Sequence, residues 1–167
     1  MPLSIRLATP EDAETIIAMS KVFAQDVDDP PPGLTAETFR RDGFGHDAWF
    51  TAFIAETGAE TGDGPIGYAI VNRGFDPQTG TRGLVLADLF VAPARRSQGI
   101  GKVMMQAIAR HAGEIDARWI VWDVWTKNDR AYAFYEALGA EHREPLFNVS
   151  TMILRDKALS ALADNGD

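Results

Sequence analysis

Residues 89–101, Leu-Phe-Val-Ala-Pro-Ala-Arg-Arg-Ser-Gln-Gly-Ile-Gly, constrain the fold of this chain more than any other segment. Leu84 to Val91 is a strongly apolar, β-prone run broken by one acid, Asp88. Pro93 ends it, because proline carries no N–H for a sheet ladder. Two arginines and two glycines follow. Gly99 to Ala112 then places Val103, Met104, Ala107 and Ile108 on one face at helical spacing. Arg118 to Trp125 reads as the next strand, Asn128 to Leu138 as a helix stopped by Gly139, and Phe147 to Leu154 as the last strand. Strand, helix, strand, helix, strand implies a parallel pair at the centre of a sheet.

The first half reads differently. Leu3 to Ala8 forms a short strand. Thr9-Pro10-Glu11 supplies an N-cap, a proline in the first turn and an acid near the helix dipole. The helix that follows buries Ala13, Ile16, Ile17, Ser20 and one of Phe23 or Ala24. It stops before Asp28-Asp29-Pro30-Pro31-Pro32-Gly33. Thr35 caps a short second helix through about Arg41. Strands at Trp49–Glu56 and Ile66–Asn72 are separated by a glycine-rich turn from Thr57 to Pro65, and another turn follows at 76–80. The sum is an α/β chain with a mixed (α+β) sheet. We expect one domain over 1–167, with a peripheral tail from about 156 that starts helical and frays.

Charge and composition narrow the function. The formal charge of −8 argues against a nucleic-acid partner, since phosphate binding needs a basic face. It either keeps the protein soluble or draws cations to it. The absence of cysteine excludes disulfides and thiol catalysis. No apolar run approaches the ~18 residues of a membrane span, and Met1 to Ile5 opens no signal peptide. No membrane partner and a cytoplasmic location are expected. His46, His111 and His142 are scattered without ligand spacing, so no metal is expected.

The loop of residues 95–101 has the chemistry of an anion site. A helix N-terminus presents N–H groups without intrahelical partners and a partial positive charge. Gly99 and Gly101 let a diphosphate approach the backbone, and Arg95 and Arg96 offer charge-assisted hydrogen bonds. The alternative is a plain strand-to-helix turn with solvated arginines. The pattern G-x-x-x-x-G-K-S/T is absent, which excludes a P-loop.

Two segments carry a resemblance. Arg96-Ser97-Gln98-Gly99-Ile100-Gly101 fits Q/R-x-x-G-x-G/A, and Asn128 to Ala140 fits N-x-x-A-x-x-F-Y-x-x-x-G-F/A. In this order and spacing the chain resembles the GNAT superfamily of N-acetyltransferases. Asp42-Gly43-Phe44-Gly45, Asp76-Pro77, Leu86 to Val91 and Trp122-Asp123-Val124 are similar to segments of the diamine acetyltransferases. The resemblance covers roughly residues 4 to 140 and implies a splayed central mixed sheet flanked by helices. It implies acetyl-CoA held by Phe90, Val91, Arg95, Arg96, Ser97, Gln98, Gly99, Ile100, Gly101, Lys102 and Asn128. Backbone N–H groups near Phe90 and Val91 would be freed where the fourth and fifth strands part at a bulge. Asn128 would bond the pantetheine arm or cap its helix. Tyr135 would protonate the departing thiolate; without the resemblance it is equally a core tyrosine. A homodimer through the C-terminal strands is also implied.

The acceptor side departs from that pattern. Ala87 stands where many diamine acetyltransferases have glutamate, Lys127 where they have tryptophan, and Gln78 where an aromatic lines the channel. An acceptor amine with a pKa near ~10.4 arrives charged and must lose a proton before it attacks. Asp88, an acid within an apolar strand, is the candidate base or amine anchor; the alternative is that it fixes a bulge. Asp26, Asp76 and Trp122 complete the expected acceptor site, with solvated-loop and core roles as their alternatives. The expected activity is direct acetyl transfer to a primary amine of a small cationic acceptor, such as a diamine, polyamine or lysine-like amine. A protein N-terminus or an antibiotic amine as acceptor, or a non-catalytic CoA-binding module, are the competing readings.

Overall fold

Capping chemistry sets where the first helices begin. Thr9 and Asp12 form a capping box around a single 3-10 turn, Pro10–Asp12, that leads into helix α1, Ala13–Asp26. Arg6 grips the Asp12 carboxylate with two hydrogen bonds, of 2.7 and 2.8 Å. Those bonds chiefly hold the Asp12 carboxyl down at about 2. Thr35 accepts a hydrogen bond from the N–H of Thr38 at 3.1 Å and starts α2, Ala36–Asp42. The computed structural model describes residues 3–58, 64–142 and 149–164. The remaining elements are strands β1 (Ser4–Leu7), β2 (Phe50–Glu56), β3 (Pro65–Asp76), β4 (Thr81–Val91), β5 (Ala117–Trp125), β6 (Glu141–His142) and β7 (Val149–Arg155), and helices α3 (Ile100–Glu114), α4 (Asp129–Ala137) and α5 (Asp156–Asp164).

The chain forms two compact units. The first contains residues 1–72 and 87–104, the second residues 73–86 and 105–167, so β3, β4 and α3 each contribute to both. In the first unit β1 pairs antiparallel with β2 and β2 with β3, from Phe50↔Asn72 to Glu56↔Pro65, and the end of β4 lies beside β3. This is the expected meander. Its core joins Ala13 and Ile16 of α1, Phe39 of α2, Ala52 and Ile54 of β2, Tyr68 and Ile70 of β3, and Phe90 of β4. The helix α1 buries Ala13, Ile16, Ile17, Ser20 and Ala24, as its spacing predicts.

Gly67 of β3 lies close against the backbone of β4. A Cβ at that position would lie 2.6 Å from the carbonyl oxygen of Phe90. Backbone cannot yield as a side-chain tip does, so the two strands would have to part. Gly67→Ala is therefore expected to cost about 1–3 kcal/mol. The measurement is a urea or thermal midpoint; an unchanged midpoint would show that β4 moves freely.

In the second unit β4 and β5 are the expected parallel pair, from Arg82↔Ala117 to Val85↔Val121. A register shift falls between Arg82 and Leu84, at Gly83. The Trp119 ring explains it. A Cβ on Gly83 would meet that ring at 2.0 Å and one on Gly74 at 2.5 Å, so the indole lies flat across two glycines. Strand β7 pairs antiparallel with β5 and with β6.

Several expectations are corrected here. Strand β6 was not foreseen, because two residues carry no periodicity. Helix α5 runs to Asp164 and buries Leu159 and Leu162, the helical start expected of the tail, and residues 165–167 lie outside the described ones. On α3 the buried stripe is Met104, Met105, Ile108, Ala109 and Ala112, with Val103 and Ala107 only half-buried. The apolar residues of α3 fill more than one stripe, and packing selects between them. Part of the Thr57–Pro65 turn, and the Phe147 start of the last strand, lie outside the described residues.

Candidate active site

In the first unit, strand β4 ends at Val91 and the chain makes one 3-10 turn over Pro93–Arg95. Ser97 and Gly99 then take left-handed backbone angles, φ +63° and +80°. Glycine adopts that region at no steric cost, whereas serine pays strain to hold it. The first bond of α3 runs from the N–H of Val103 to the carbonyl of Gly99, at 3.1 Å. The N–H groups of Ile100, Gly101 and Lys102 therefore have no partner within the helix and sit at its positive end. From the sequence, an anion is expected at these groups.

Arg96 makes contacts within the first unit. Its Nε donates to the Val91 carbonyl at 2.9 Å, its guanidinium pairs with Asp26, and its Cζ lies 6.0 Å from the centroid of the Phe90 ring. Through Nε and Nη2 it fastens the loop to the end of β4 and to the end of α1. Asp26 is correspondingly committed to Arg96. Arg95 is half-buried and Ser97, Gln98 and Lys102 are exposed along the same loop and helix start. Phe90 itself is buried, with ring centroids 5.9 Å from Phe23 and 5.8 Å from Tyr68.

Asp88 lies three residues before the end of β4 and is half-buried. The phenol of Tyr68 donates to its Oδ2 at 2.9 Å. Burial pushes the Asp88 carboxyl above the usual carboxylate range, and the Tyr68 hydrogen bond opposes that shift. Burial, with the neighbouring carboxylate charge, raises the Tyr68 phenol as well. Sequence reasoning missed Tyr68. The run Ile66 to Asn72 shows only a strand, and nothing in one strand's sequence marks which residue faces an acid on the next.

The second unit holds the other expected residues. Tyr135 of α4 packs beside Trp122 of β5, ring centroids 4.7 Å apart, and beside Phe134 at 4.9 Å. Burial raises the Tyr135 phenol above its ordinary value, so it stays protonated at neutral pH. Trp122 is buried, and its Nε1 has no hydrogen-bond partner among the described residues. Asn128 caps α4, its Oδ1 accepting from the N–H of Ala131 at 3.0 Å. Asp76 is turned into its own hairpin: it accepts from the N–H of Gln78 at 2.8 Å and from the Thr79 hydroxyl at 2.9 Å. Within the first unit, then, the structure brings together Asp26, Phe90, Val91 and Arg96; within the second, Trp122 and Tyr135.

Known proteins resemble this chain in sequence and in fold. Residues 19–140 match the profile of the acetyltransferase (GNAT) family. Among curated proteins the chain is similar to the thialysine N-epsilon-acetyltransferase of Bos taurus, 31% identical over 112 residues, and to that of Mus musculus, 33% over 115 residues. Each match covers 65% of this chain and spans 65% of the relative's length. Among solved structures, spermidine N-acetyltransferase from Vibrio cholerae in complex with CoA and spermine has a TM-score of 0.75 at 15% identity, covering 95% of this chain and 98% of that one. NAA60 of Arabidopsis thaliana in complex with acetyl-CoA has a TM-score of 0.69 at 14% identity, covering 92% and 98%. These likenesses establish the mixed α/β fold.

Proposed function

The chain belongs to the GNAT acetyltransferase family, and from that premise we propose that it moves the acetyl group of acetyl-CoA to a primary amine of a compact cationic acceptor. The observation that carries the acceptor class is Asp88, a carboxylate set among apolar residues of β4 with a neutral phenol as its hydrogen-bond partner. Such a group lacks a counter-charge, and an ammonium supplies one. The names of the similar proteins, which act on thialysine and spermidine, support the same class.

The roles follow from the chain's own groups. The N–H groups of Ile100, Gly101 and Lys102, with the left-handed turn at Ser97 and Gly99, suit a diphosphate. Acetyl-CoA, bound there, supplies an acetyl thioester activated for attack. Arg96 keeps the loop in shape through Val91 and Asp26. Asp88 holds the ammonium and takes its proton at Oδ1 or through water. Tyr135 carries a hydrogen on its hydroxyl for the sulfur that leaves. The chain has no cysteine to carry an acetyl group, so transfer is direct.

The test is release of free CoA thiol with a panel of monoamines, diamines, lysine analogues, an aminoglycoside and a peptide N-terminus. Diamines or lysine analogues are expected to be preferred, with KM rising as salt screens the charge. Asp88→Asn is expected to lower kcat/KM for them by about 30-fold or more, the scale of an unpaired buried charge, with acetyl-CoA affinity unchanged. A monoamine used equally well and without salt dependence would overturn the cationic-acceptor reading.

A further inference from the structure

We propose that Tyr68 is a positioning residue of the acetyl transfer: its phenol holds Oδ2 of Asp88 and leaves Oδ1 to the acceptor's ammonium. The inference rests on the reading of Asp88 as the acceptor's partner. Asp88 is the one acid in β4, so in that reading a single carboxylate both holds the ammonium and takes its proton. A lone carboxylate free to rotate would do so poorly, since orientation is worth orders of magnitude in rate.

Tyr68 removes that freedom. It is fully buried in β3, its ring fixed against Phe90 and the core of the first unit. A buried phenol needs a hydrogen-bond partner, and Asp88 is the one it has, at 2.9 Å. Burial raises the phenol, so it stays protonated and donates through the neutral range. A donor of this kind favours the anion over the neutral acid. It therefore opposes the upward shift that burial imposes on the Asp88 carboxyl. Arg96 of the loop and Asp26 of α1 hold each other, and the neighbours of Asp88 in β4, Ala87 and Leu89, are apolar. A core tyrosine that merely satisfied its hydroxyl would contribute stability but would not set the acid limb of the reaction.

The experiment follows the Asp88 carboxyl by carbon-13 NMR in protein labelled at aspartate, assigned with Asp88→Asn, beside the pH profile of kcat/KM for a diamine. In Tyr68→Phe, the Asp88 titration and the acid limb are both expected to move up by about 1–2 pH units, the worth of a hydrogen bond to a charged group. The KM for acetyl-CoA should stay unchanged. Protein carrying 3-fluorotyrosine at position 68 keeps the hydroxyl and makes it a stronger donor, so both should move down. That protein also carries the test if Tyr68→Phe fails to fold. Unmoved titration in active enzyme, or activity lost equally at every pH, would overturn the part assigned to Tyr68 and leave the acetyltransferase reading standing. Titration that shifts as expected in protein that acetylates no amine would overturn the functional reading, and the catalytic role of Tyr68 with it.

Discussion

A Gly101→Asp variant is expected to fold normally and to lose acetyl-CoA. Gly101 lies in the first turn of α3, one residue after Ile100, where the helix presents N–H groups without partners. An aspartate there suits the helix: it replaces a poor helix former and places a negative charge at the positive end of the dipole. The fold should therefore survive, and the thermal midpoint should stay level or rise. The same carboxylate then occupies the field that would draw a diphosphate. Two like charges about 4 Å apart, at an effective dielectric near 20, repel by about 4 kcal/mol. That corresponds to roughly a 1,000-fold rise in Kd. Calorimetry with acetyl-CoA reads the outcome, and undiminished affinity in the folded variant would show that the loop of residues 95–101 does not hold the donor.

Tyr135→Phe is expected to lower kcat by about 100-fold while leaving acetyl-CoA affinity nearly intact, the usual scale for removing one donor that acts in the transition state. Phenylalanine keeps the ring that packs on Trp122 and Phe134, so the loss can be assigned to the hydroxyl. The direction of the Tyr135 shift adds a second expectation. Burial places the phenol above its ordinary value of 10.0, so it remains protonated throughout the neutral and mildly alkaline range. The activity of the parent enzyme should therefore show no basic limb from Tyr135 below pH 10. A thiol of the cysteine type ionises near ~8.5, so complete proton transfer from this phenol to a thiolate runs uphill. In the proposed reaction Tyr135 is then expected to act chiefly by donating a hydrogen bond to the charge that develops on sulfur. A variant with the parent kcat would mean that water or another group serves the thiolate.

Much of the fold was legible from local rules. Thr9 and Thr35 start helices where capping chemistry predicts, and Pro93 ends β4. The 3.6-residue spacing of α1 identifies its buried face. Each of these depends on a few neighbouring residues, so a single stretch of sequence contains the whole cause. Where the local pattern is ambiguous it fails. The apolar residues of α3 allow two overlapping stripes, β6 is too short to show any period, and the tail packs as α5 because Leu159 and Leu162 find a surface that their own segment does not reveal.

The candidate site divides along the same line. The anion loop is contiguous, so residues 95–102 announce themselves in order, and Asp88 stands out as one acid in an apolar strand. What the loop arginine bonds inside the protein was not legible. Arg96 reads as a ligand for phosphate, and the sequence does not show that it also bonds Asp26, 70 positions away, and the Val91 carbonyl. Asp76 reads as an acid for the acceptor, yet its own turn engages it. The partner of Asp88 was equally hidden, because Tyr68 reaches it from 20 positions earlier through the placement of β3 beside β4. By itself the sequence determined which residues carry charge and which segments form strand, loop or helix, since those follow from local chemistry. Only the tertiary structure decided which of those charges pair with one another, as Arg96 does with Asp26, because a side chain's partner is chosen in space, among residues the chain order keeps apart.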